Sequence, residues 1–371
     1  MLYKYEIMQL HILGGAMNIE DETIEVRTGE TFDIPKVEQY LRQHIEGLGE
    51  GPMQVRQFPS GASNLTYLIQ IGTWEGVLRR PPFGPVPPKA HDMGRESSLL
   101  RKIHPVFPLA PKPYVFCDDL DILGVPFYVM ERRRGYVINQ SFPEGVTVTS
   151  ELCTAISHTV VDTLVGIHAV DWQAAGLSEF GYPTGFLGRQ VKSWIERYFR
   201  AQTDDIPQVE PLTRWFMDRI PTSPAPALIH NDFKLNNMLL GVDDLSQATA
   251  VLDWEMTTIG DPLFDLAISL SYWVGPDDPP ELQMVLPTVT LMPGFISRRE
   301  FMERYARKSG RDLASMHFYM TFAYYKLAVI LQQIYVRWKR GQTQDERFAI
   351  FGDRVRNLIL YAADFAEHGT V

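Results

Sequence analysis

Two short polar runs in the second half of the chain carry side chains suited to one chemistry. They occupy positions 230–237 (HNDFKLNN) and 251–255 (VLDWE). Transfer of a phosphoryl group to a hydroxyl needs a carboxylate that orients and deprotonates the acceptor, a second carboxylate for Mg²⁺, and a neutral oxygen ligand for the metal. Asp232, Asp253 and Asn237 supply these three groups in the expected order. Positions 251 and 252 read as a short buried β segment that would deliver Asp253 to the site.

A third motif follows and connects the first two to a known family. The run at 230–237 fits the pattern H-x-D-x-K-x-x-N, although aspartate and asparagine are also ordinary turn residues. Downstream stands Gly260-Asp261-Pro262-Leu263-Phe264-Asp265-Leu266-Ala267. Together the three runs resemble the aminoglycoside phosphotransferase family, part of the protein-kinase-like superfamily. Within it the chain resembles stand-alone bacterial phosphotransferases and the kinase-like domain fused to some acyl-CoA dehydrogenases.

The resemblance implies a fold and an activity. The fold is α+β and two-lobed, with an N-lobe built on a five-stranded antiparallel sheet and a mainly helical C-lobe. The activity is phosphorylation of a small-molecule hydroxyl, with ATP and Mg²⁺ as cofactors. Asp232 is the expected base, Lys234 places a positive charge near the transferred phosphoryl group, and His230 orients the loop. Asn237 and Asp253 are the expected metal ligands.

Two further acidic residues near these motifs have different expected roles. In relatives the position of Asp265 is structural and helps to hold the catalytic loop. Glu255 stands where the family often has glycine, and either an auxiliary role at Mg²⁺ or a surface position is open.

A nucleotide-binding loop is expected in the first part of the chain. The small-residue turn between two strand-like runs contains Ser60, Gly61, Ser63 and Asn64. Glycine and small residues let backbone N–H groups approach a phosphate closely. A plain hairpin turn is the alternative from the residues alone, whereas the resemblance implies the loop over the ATP phosphates.

The resemblance also assigns residues to the nucleotide site from the following strands. Arg79 stands where protein kinases carry a lysine that pairs with the ATP phosphates, and Glu96 is its expected helix partner. Arginine keeps the charge but is not interchangeable with lysine. Glu131 and Arg133 fall at the expected inter-lobe hinge, whose backbone would pair with adenine. Solvent-exposed positions remain the alternative for all four.

Composition limits the class of protein. The 371 residues are 45% hydrophobic, which provides for a large core, and the length suggests two lobes or domains. A formal net charge of −10 argues against non-specific nucleic-acid binding. Only two cysteines are present, Cys117 and Cys153, which favours free thiols in a cytoplasmic protein. No signal peptide or membrane-spanning helix is expected, and the oligomeric state is open.

The pattern along the chain predicts three regions: an N-terminal extension at 1–32, the nucleotide-binding N-lobe at 33–133, and the C-lobe with the acceptor site at 134–371. Position 275 to position 287 is rich in proline and aspartate and is predicted to be a loop. Strands are predicted at 55–58, 65–71, 76–82, 113–117, 125–130 and 227–229, and helices at 34–45, from 94 onward, and at 151–170, 186–199, 213–220, 265–273, 298–309, 313–340 and 346–367.

The motifs leave the acceptor open between a hydroxyacyl or hydroxy-acid metabolite and an aminoglycoside-like compound, with the non-antibiotic metabolite preferred. A nucleotide-binding pseudokinase with a regulatory role is the alternative, favoured only by the replacement of lysine by Arg79. A protein kinase is disfavoured because no long activation segment ending in A-P-E separates Asp253 from Asp265.

Overall fold

The structure is a computed structural model that describes residues 23–59, 64–83, 91–343 and 345–369. The described residues form two compact units. The first comprises the chain up to Val146 together with Asn236–Glu255, and the second comprises Thr147–Leu235 and the chain from Met256 onward. The polypeptide therefore passes from the second unit into the first after Leu235 and returns after Glu255.

The elements before Val146 mix strands and helices. They are α1 (Ile34–His44), β1 (Gln54–Gln57), β2 (Leu65–Ile71), β3 (Trp74–Arg80), α2 (Met93–Ile103), β4 (Pro113–Cys117), α3 (Leu120–Leu123) and β5 (Phe127–Glu131).

Helices dominate the rest of the chain. The elements are α4 (Ser150–His168), α5 (Phe186–Ala201), α6 (Val209–Asp218), β6 (Ala227–Ile229), β7 (Met238–Leu240), β8 (Ala248–Val251), β9 (Thr258–Gly260), α7 (Pro262–Ser271), α8 (Pro280–Val285), α9 (Arg298–Ser309), α10 (Met316–Lys339) and α11 (Phe351–His368).

The first unit is built on a five-stranded sheet in the order β1-β2-β3-β5-β4, and every neighbouring pair in it is antiparallel. β2 and β3 pair with Leu65 opposite Arg80 and Ile71 opposite Trp74. The residues of β2 are mostly buried, and α1 packs Val37 and Leu41 into the same core. The predicted antiparallel N-lobe sheet and the mixed fold class are confirmed.

A two-stranded hairpin, β7–β8, also belongs to the first unit. Met238 pairs with Val251, and the N–H of Leu252 donates to the carbonyl oxygen of Asn237 at 2.8 Å. The N–H of Val251 donates to the carbonyl oxygen of Leu109 at 2.9 Å. The hairpin therefore fixes the backbone positions of Asn237 and Asp253 relative to each other.

A smaller ladder, β6–β9, flanks the predicted catalytic loop in the second unit. Ala227 pairs with Gly260 and Ile229 with Thr258. A Cβ atom on Gly260 would lie 2.6 Å from Cδ1 of Ile229 and 3.0 Å from the ring of Phe186. Only glycine fits there without displacing the neighbours, so the G-D-P motif begins with a packing requirement.

The remaining helices bury long apolar faces, and the long helix α10 buries most of its residues. Its fully buried large side chains include Tyr319, Tyr324 and Tyr325. Among the described residues, no helix combines the length and the apolarity that a membrane crossing requires.

Two short helices lie where the sequence analysis predicts no helix. The segment at 275–287 was predicted to be a loop, but it contains α8. Pro280 stands at the first turn of α8, where a missing N–H costs nothing. The acidic turn after β4 contains α3, which Asp119 caps by accepting from the N–H of Asp121.

The lobe boundaries remain a prediction. The first compact unit includes residues up to Val146 and the β7–β8 hairpin, whereas the predicted N-lobe ends at residue 133. The predicted extension at 1–32 lies partly outside the described residues, which begin at Thr23.

Candidate active site

The predicted catalytic loop of the second unit is held by one buried carboxylate. Asp265, on α7, accepts the backbone N–H of His230 through Oδ2 and the backbone N–H of Asn231 through Oδ1, both at 2.7 Å. The ring of His168 lies 3.1 Å from Oδ2 and 2.7 Å from the hydroxyl of Tyr305. Burial raises the pKa of Asp265, but the hydrogen bonds and the charge of its histidine partners outweigh burial. The pKa of Asp265 is therefore lowered overall. An ionised Asp265 therefore fixes the start of the loop.

Asn231, the residue before Asp232, has an unusual backbone conformation. Asn231 has φ of +67°, a left-handed conformation that asparagine tolerates better than most residues. Its side-chain Nδ2 donates to the carbonyl oxygen of Met256 at 2.9 Å, which stabilises the turn. His230 is fully buried beneath it, in keeping with the orienting role expected for this residue.

Asp232 and Lys234 form an ion pair at the end of this turn. Nζ of Lys234 lies 3.1 and 3.2 Å from the two carboxylate oxygens of Asp232. It also lies 5.0 Å from the ring centroid of Tyr272, within cation–π range. The Asp232 side chain keeps 21% of its surface exposed, so a solvent-borne hydroxyl can reach it.

In the first unit, the β7–β8 hairpin presents Asn237 and Asp253. Asn237 precedes β7, and Asp253 follows β8 by two residues. Asp253 has φ of +63°, a strained conformation for a non-glycine residue that is typical of functional sites. The hairpin register therefore brings an amide and a carboxylate to the same end of a rigid element.

Arg79 and Glu96 form the buried ion pair that the sequence predicts. Nη1 of Arg79 donates to Oε1 of Glu96 at 2.7 Å, and Nη2 lies 3.6 Å from Oδ1 of Asp253. Burial favours the neutral form of Arg79, but the charge of Glu96 and then that of Asp253 oppose it, and its pKa is raised. Arg79 is therefore a permanent cation beside the predicted metal carboxylate.

This cluster has hydrogen-bonding capacity that the described residues do not use. Nε of Arg79, Oε2 of Glu96 and Oδ1 of Asp253 are buried and form no hydrogen bond with the described part of the chain. Buried polar atoms without partners are uncommon and costly. The donor set of Asn237 and Asp253 is a neutral oxygen and a carboxylate, which suits a hard cation such as Mg²⁺. The residues present fit the metal and the phosphate that the family implies.

Asn64, the last residue of the predicted nucleotide loop, is held by two side-chain contacts. Its Nδ2 donates to Oε2 of Glu255 at 3.0 Å, and Nδ1 of His91 lies 2.8 Å from its Oδ1. Glu255 is thus a partner of the loop, and its backbone oxygen also accepts from Nη1 of Arg95 at 3.2 Å. Contact between Asn64 and a nucleotide stays a prediction. The other predicted loop residues, Ser60, Gly61 and Ser63, lie outside the described residues.

The hinge residues are paired within the first unit. Glu131 donates its N–H to the carbonyl oxygen of Lys112 at 2.8 Å, so that donor is already used. Nε of Arg133 lies 2.9 Å from Oε2 of Glu131, and its Nη2 donates to the carbonyl oxygen of Pro108 at 2.8 Å. Adenine recognition by this segment stays a prediction that rests on its other backbone groups.

The sequence interpretation gave no role to Lys326 of α10. Its side chain is buried in the second unit, 7% exposed, and its Nζ lies 5.3 Å from the ring centroids of both Trp194 and Phe264. Burial lowers the pKa of Lys326 to about 8, and the charges of Asp232 and Asp265 oppose that lowering. A lone lysine within a long apolar stretch was the available signal.

Comparison with known proteins decides the family. The model of the phosphotransferase enzyme family matches residues 54–319, which include every motif residue described above from Asn64 to Asp265. The chain belongs to the phosphotransferase enzyme family. It is accordingly an enzyme of the phosphotransferase class that acts on hydroxyl acceptors.

Curated relatives of this phosphotransferase are longer proteins. The chain is 34% identical over 352 residues to acyl-CoA dehydrogenase family member 11 of Rattus norvegicus, covering 92% of the chain and 44% of that relative. It is 32% identical over 340 residues to acyl-CoA dehydrogenase family member 10 of Mus musculus, covering 91% of the chain and 32% of that relative. The chain thus spans less than half of the length of these curated relatives.

Solved structures share the fold of this phosphotransferase. A protein from Ralstonia eutropha, assigned as a candidate aminoglycoside phosphotransferase, superposes with a TM-score of 0.80 at 27% identity, over 92% of this chain and 100% of that one. Aminoglycoside phosphotransferase APH(4)-Ia, in a ternary complex with AMP-PNP and hygromycin B, superposes with a TM-score of 0.55 at 17% identity, over 90% and 100% of the two chains. The protein-kinase-like fold expected from the motifs is confirmed.

Proposed function

We propose that the chain transfers the γ-phosphoryl group of ATP, in a Mg²⁺-dependent reaction, to a hydroxyl of a small hydroxyacyl or hydroxy-acid metabolite. The observation that carries this proposal is the buried cluster of Arg79, Glu96 and Asp253, in which each residue keeps a buried polar atom that forms no hydrogen bond with the described residues. Such a cluster suits a ligand that brings both negative charge and a divalent cation.

Asp232 is the proposed base in this reaction. It would orient the acceptor hydroxyl and take its proton as the oxygen–phosphorus bond forms. The bond between the γ-phosphorus and the bridging oxygen breaks in the same transfer, and ADP carries away that oxygen. Lys234, 3.1 Å from Asp232, would hold the carboxylate in place and place a positive charge near the moving phosphoryl group.

The first unit would bind the nucleotide and the metal. Asn237 and Asp253 would hold Mg²⁺, which when bound would neutralise charge on the phosphate oxygens. Arg79 would donate to the phosphates, and the ion pair with Glu96 at 2.7 Å would keep its guanidinium oriented. The same fold in APH(4)-Ia accommodates AMP-PNP, which supports ATP as the donor.

The relatives support the choice of acceptor. The rat and mouse proteins that match this chain are named acyl-CoA dehydrogenase family members, and a phosphotransferase segment within such a chain suggests an acceptor with an acyl group. We therefore rank hydroxyacyl thioesters and hydroxy acids above aminoglycosides.

The direct test is ADP release from MgATP across aminoglycosides, hydroxyacyl thioesters, hydroxy acids, sugars and amino alcohols, with Asp232→Ala as the blank. We expect acceptor-dependent ADP release with an acyl compound, and a phosphorylated product by mass spectrometry. ATP binding without turnover on any acceptor would instead favour the pseudokinase alternative, and turnover of aminoglycosides alone would overturn the acceptor class.

A further inference from the structure

Lys326 is a buried cation that lacks a conventional partner. Within the described ranges its ammonium forms no hydrogen bond and no ion pair, although an ammonium carries three donors. Its neighbours are the rings of Trp194 and Phe264, each with a centroid 5.3 Å from Nζ. Aromatic faces attract a cation but accept none of its hydrogen bonds in the way that an oxygen does. Three N–H donors are therefore left for a ligand.

The charged groups that act on Lys326 include the proposed base Asp232 and its partner Lys234. Asp232, Asp265, Arg197 and Lys234 all act electrostatically on its ammonium. Asp232 is paired with Lys234, and Asp265 is used by His168 and two backbone N–H groups. The guanidinium of Arg197 lies 4.4 Å from the centroid of the Trp194 ring. The carboxylates here are already engaged by groups of the chain, whereas the ammonium of Lys326 has no such partner among the described residues.

This arrangement discriminates between acceptor classes. A polycation such as an aminoglycoside would meet carboxylates that are already paired, and it would also meet three cationic side chains. A compound with an electron-rich acyl oxygen would meet an ammonium whose donors are unmet. Charge-assisted hydrogen bonds of this kind are shorter and stronger than neutral ones.

We propose that Lys326, seated between Trp194 and Phe264, is a specificity-determining residue that donates to an acyl oxygen of the acceptor. That oxygen is the carboxylate of a hydroxy acid or the thioester carbonyl of a hydroxyacyl thioester. The inference rests on the proposed function, because it assigns a recognition group to the same acceptor site. The same ammonium would repel a polycationic acceptor, so the inference predicts that such compounds are not substrates.

The test measures binding, so that it stands apart from turnover. Calorimetric titrations would compare 3-hydroxyhexanoate, its N-acetylcysteamine thioester and hexane-1,3-diol, which keeps the hydroxyl but lacks the acyl oxygen. The proteins are the wild type, Lys326→Met, Lys326→Gln and the control Lys339→Met. Lys339 lies on the same helix, is exposed and pairs with Asp204 at 3.2 Å.

We expect the wild type and Lys339→Met to bind at least one acyl compound about tenfold or more tightly than the diol. Lys326→Met should remove that difference without changing the affinity for MgATP. The buried methionine replaces an unpaired charge by an apolar chain of similar length, so we expect an intact fold; Lys326→Gln repeats the test should that variant not fold. Preferred binding of the carboxylate or of the thioester identifies which acyl oxygen is recognised.

Three outcomes would overturn the inference: equal affinity for the diol and both acyl compounds, no binding of either acyl compound to the wild type, or an unchanged preference in Lys326→Met and Lys326→Gln. Failure of the proposed function would be recognised by a different result, namely no acceptor-dependent ADP release from MgATP with any compound. A purely structural lysine would change thermal stability in both variants and leave the ligand preference intact.

The pH dependence gives a second readout. With a pKa of about 8 for Lys326, the ammonium is present below pH 8 and is lost as the pH rises through that value. The affinity of the free enzyme for 3-hydroxyhexanoate should therefore fall above pH 8, by about tenfold per pH unit once the lysine is neutral. The same profile should be flat over this range in Lys326→Met.

Discussion

The Nη2 atom of Arg79 lies 3.6 Å from Oδ1 of Asp253. The residue that stands in the place of the usual lysine therefore forms an ion pair with the predicted metal ligand. The arginine also keeps its bond to Glu96 through the other guanidinium nitrogen. A lysine would present its donors from a single nitrogen, whereas the guanidinium approaches the two carboxylates through two separate nitrogens. The fork of the guanidinium explains why arginine can serve here.

Removal of the Arg79 charge should weaken nucleotide binding. Arg79→Met should raise the dissociation constant for MgATP about tenfold or more, because a charge-assisted hydrogen bond to phosphate is lost. It also leaves Glu96 buried and unpaired, which should lower the melting temperature. The double variant Arg79→Met, Glu96→Gln should recover stability but not affinity, and nucleotide titration with thermal melts separates the two effects. Recovery of affinity in the double variant would contradict the phosphate-binding role.

Asp253 should control the metal dependence of nucleotide binding. In Asp253→Asn the affinity for ATP should lose most of its dependence on Mg²⁺, because a carboxylate ligand is replaced by a neutral amide. Asp243→Asn is the matched control, since this exposed aspartate lies between β7 and β8 of the same hairpin. Equal Mg²⁺ titration curves for the wild type and Asp253→Asn would remove Asp253 from the metal site.

Asp232 should affect turnover far more than binding. Asp232→Asn should lower kcat by roughly 10² to 10⁴, the usual contribution of a general base, while the dissociation constant for MgATP stays within about twofold. Asp218→Asn, at the exposed end of α6, serves as the control. Steady-state kinetics and nucleotide titration on the same preparations provide the measurement, and undiminished kcat would refute the assignment.

Asp265 should make stability depend on pH at the acid end. Its pKa in the folded chain is lowered, so its stabilising contribution is present above the unfolded value of about 3.9 and is lost as the pH falls through the lower folded value. Asp265→Asn should cost about 3 kcal/mol near neutral pH, because the buried backbone N–H groups of His230 and Asn231 lose their charged acceptor. The difference in melting temperature from the wild type should shrink below about pH 4. A difference that is constant from pH 7 to pH 3 would argue against an ionised Asp265.

The candidate site residues that belong to short local motifs could be predicted from the sequence. The run around Asp232, the position of Asn237 and the G-D-P segment ending in Asp265 are short-range patterns, and the structure places Asp265 against the backbone of His230 as expected. The partnership of Arg79 and Glu96 followed from motif order, and the two side chains do meet.

Residues whose environment is set by tertiary packing were beyond the sequence. Lys326 lies 94 positions after Asp232, within a helix that is apolar on most sides, and periodicity alone could not show that the rings of Trp194 and Phe264 flank it. The helix α8 was missed for another reason. Proline and aspartate favour turns when considered one by one, yet the chain uses Pro280 to begin a helix.

The excursion of the chain through the β7–β8 hairpin has a consequence for any dissection of the enzyme. A fragment that stops at Val146 would retain Arg79 and Glu96 but would lack Asn237 and Asp253, which return to the first compact unit from later in the polypeptide. Conversely, a fragment beginning at Thr147 would keep the β7–β8 hairpin but would lack its backbone contacts with the first unit, such as the bond from Val251 to Leu109. The residues proposed to bind the nucleotide and those proposed to act on the acceptor therefore alternate along the sequence, so we expect neither fragment alone to hold a complete nucleotide and metal site.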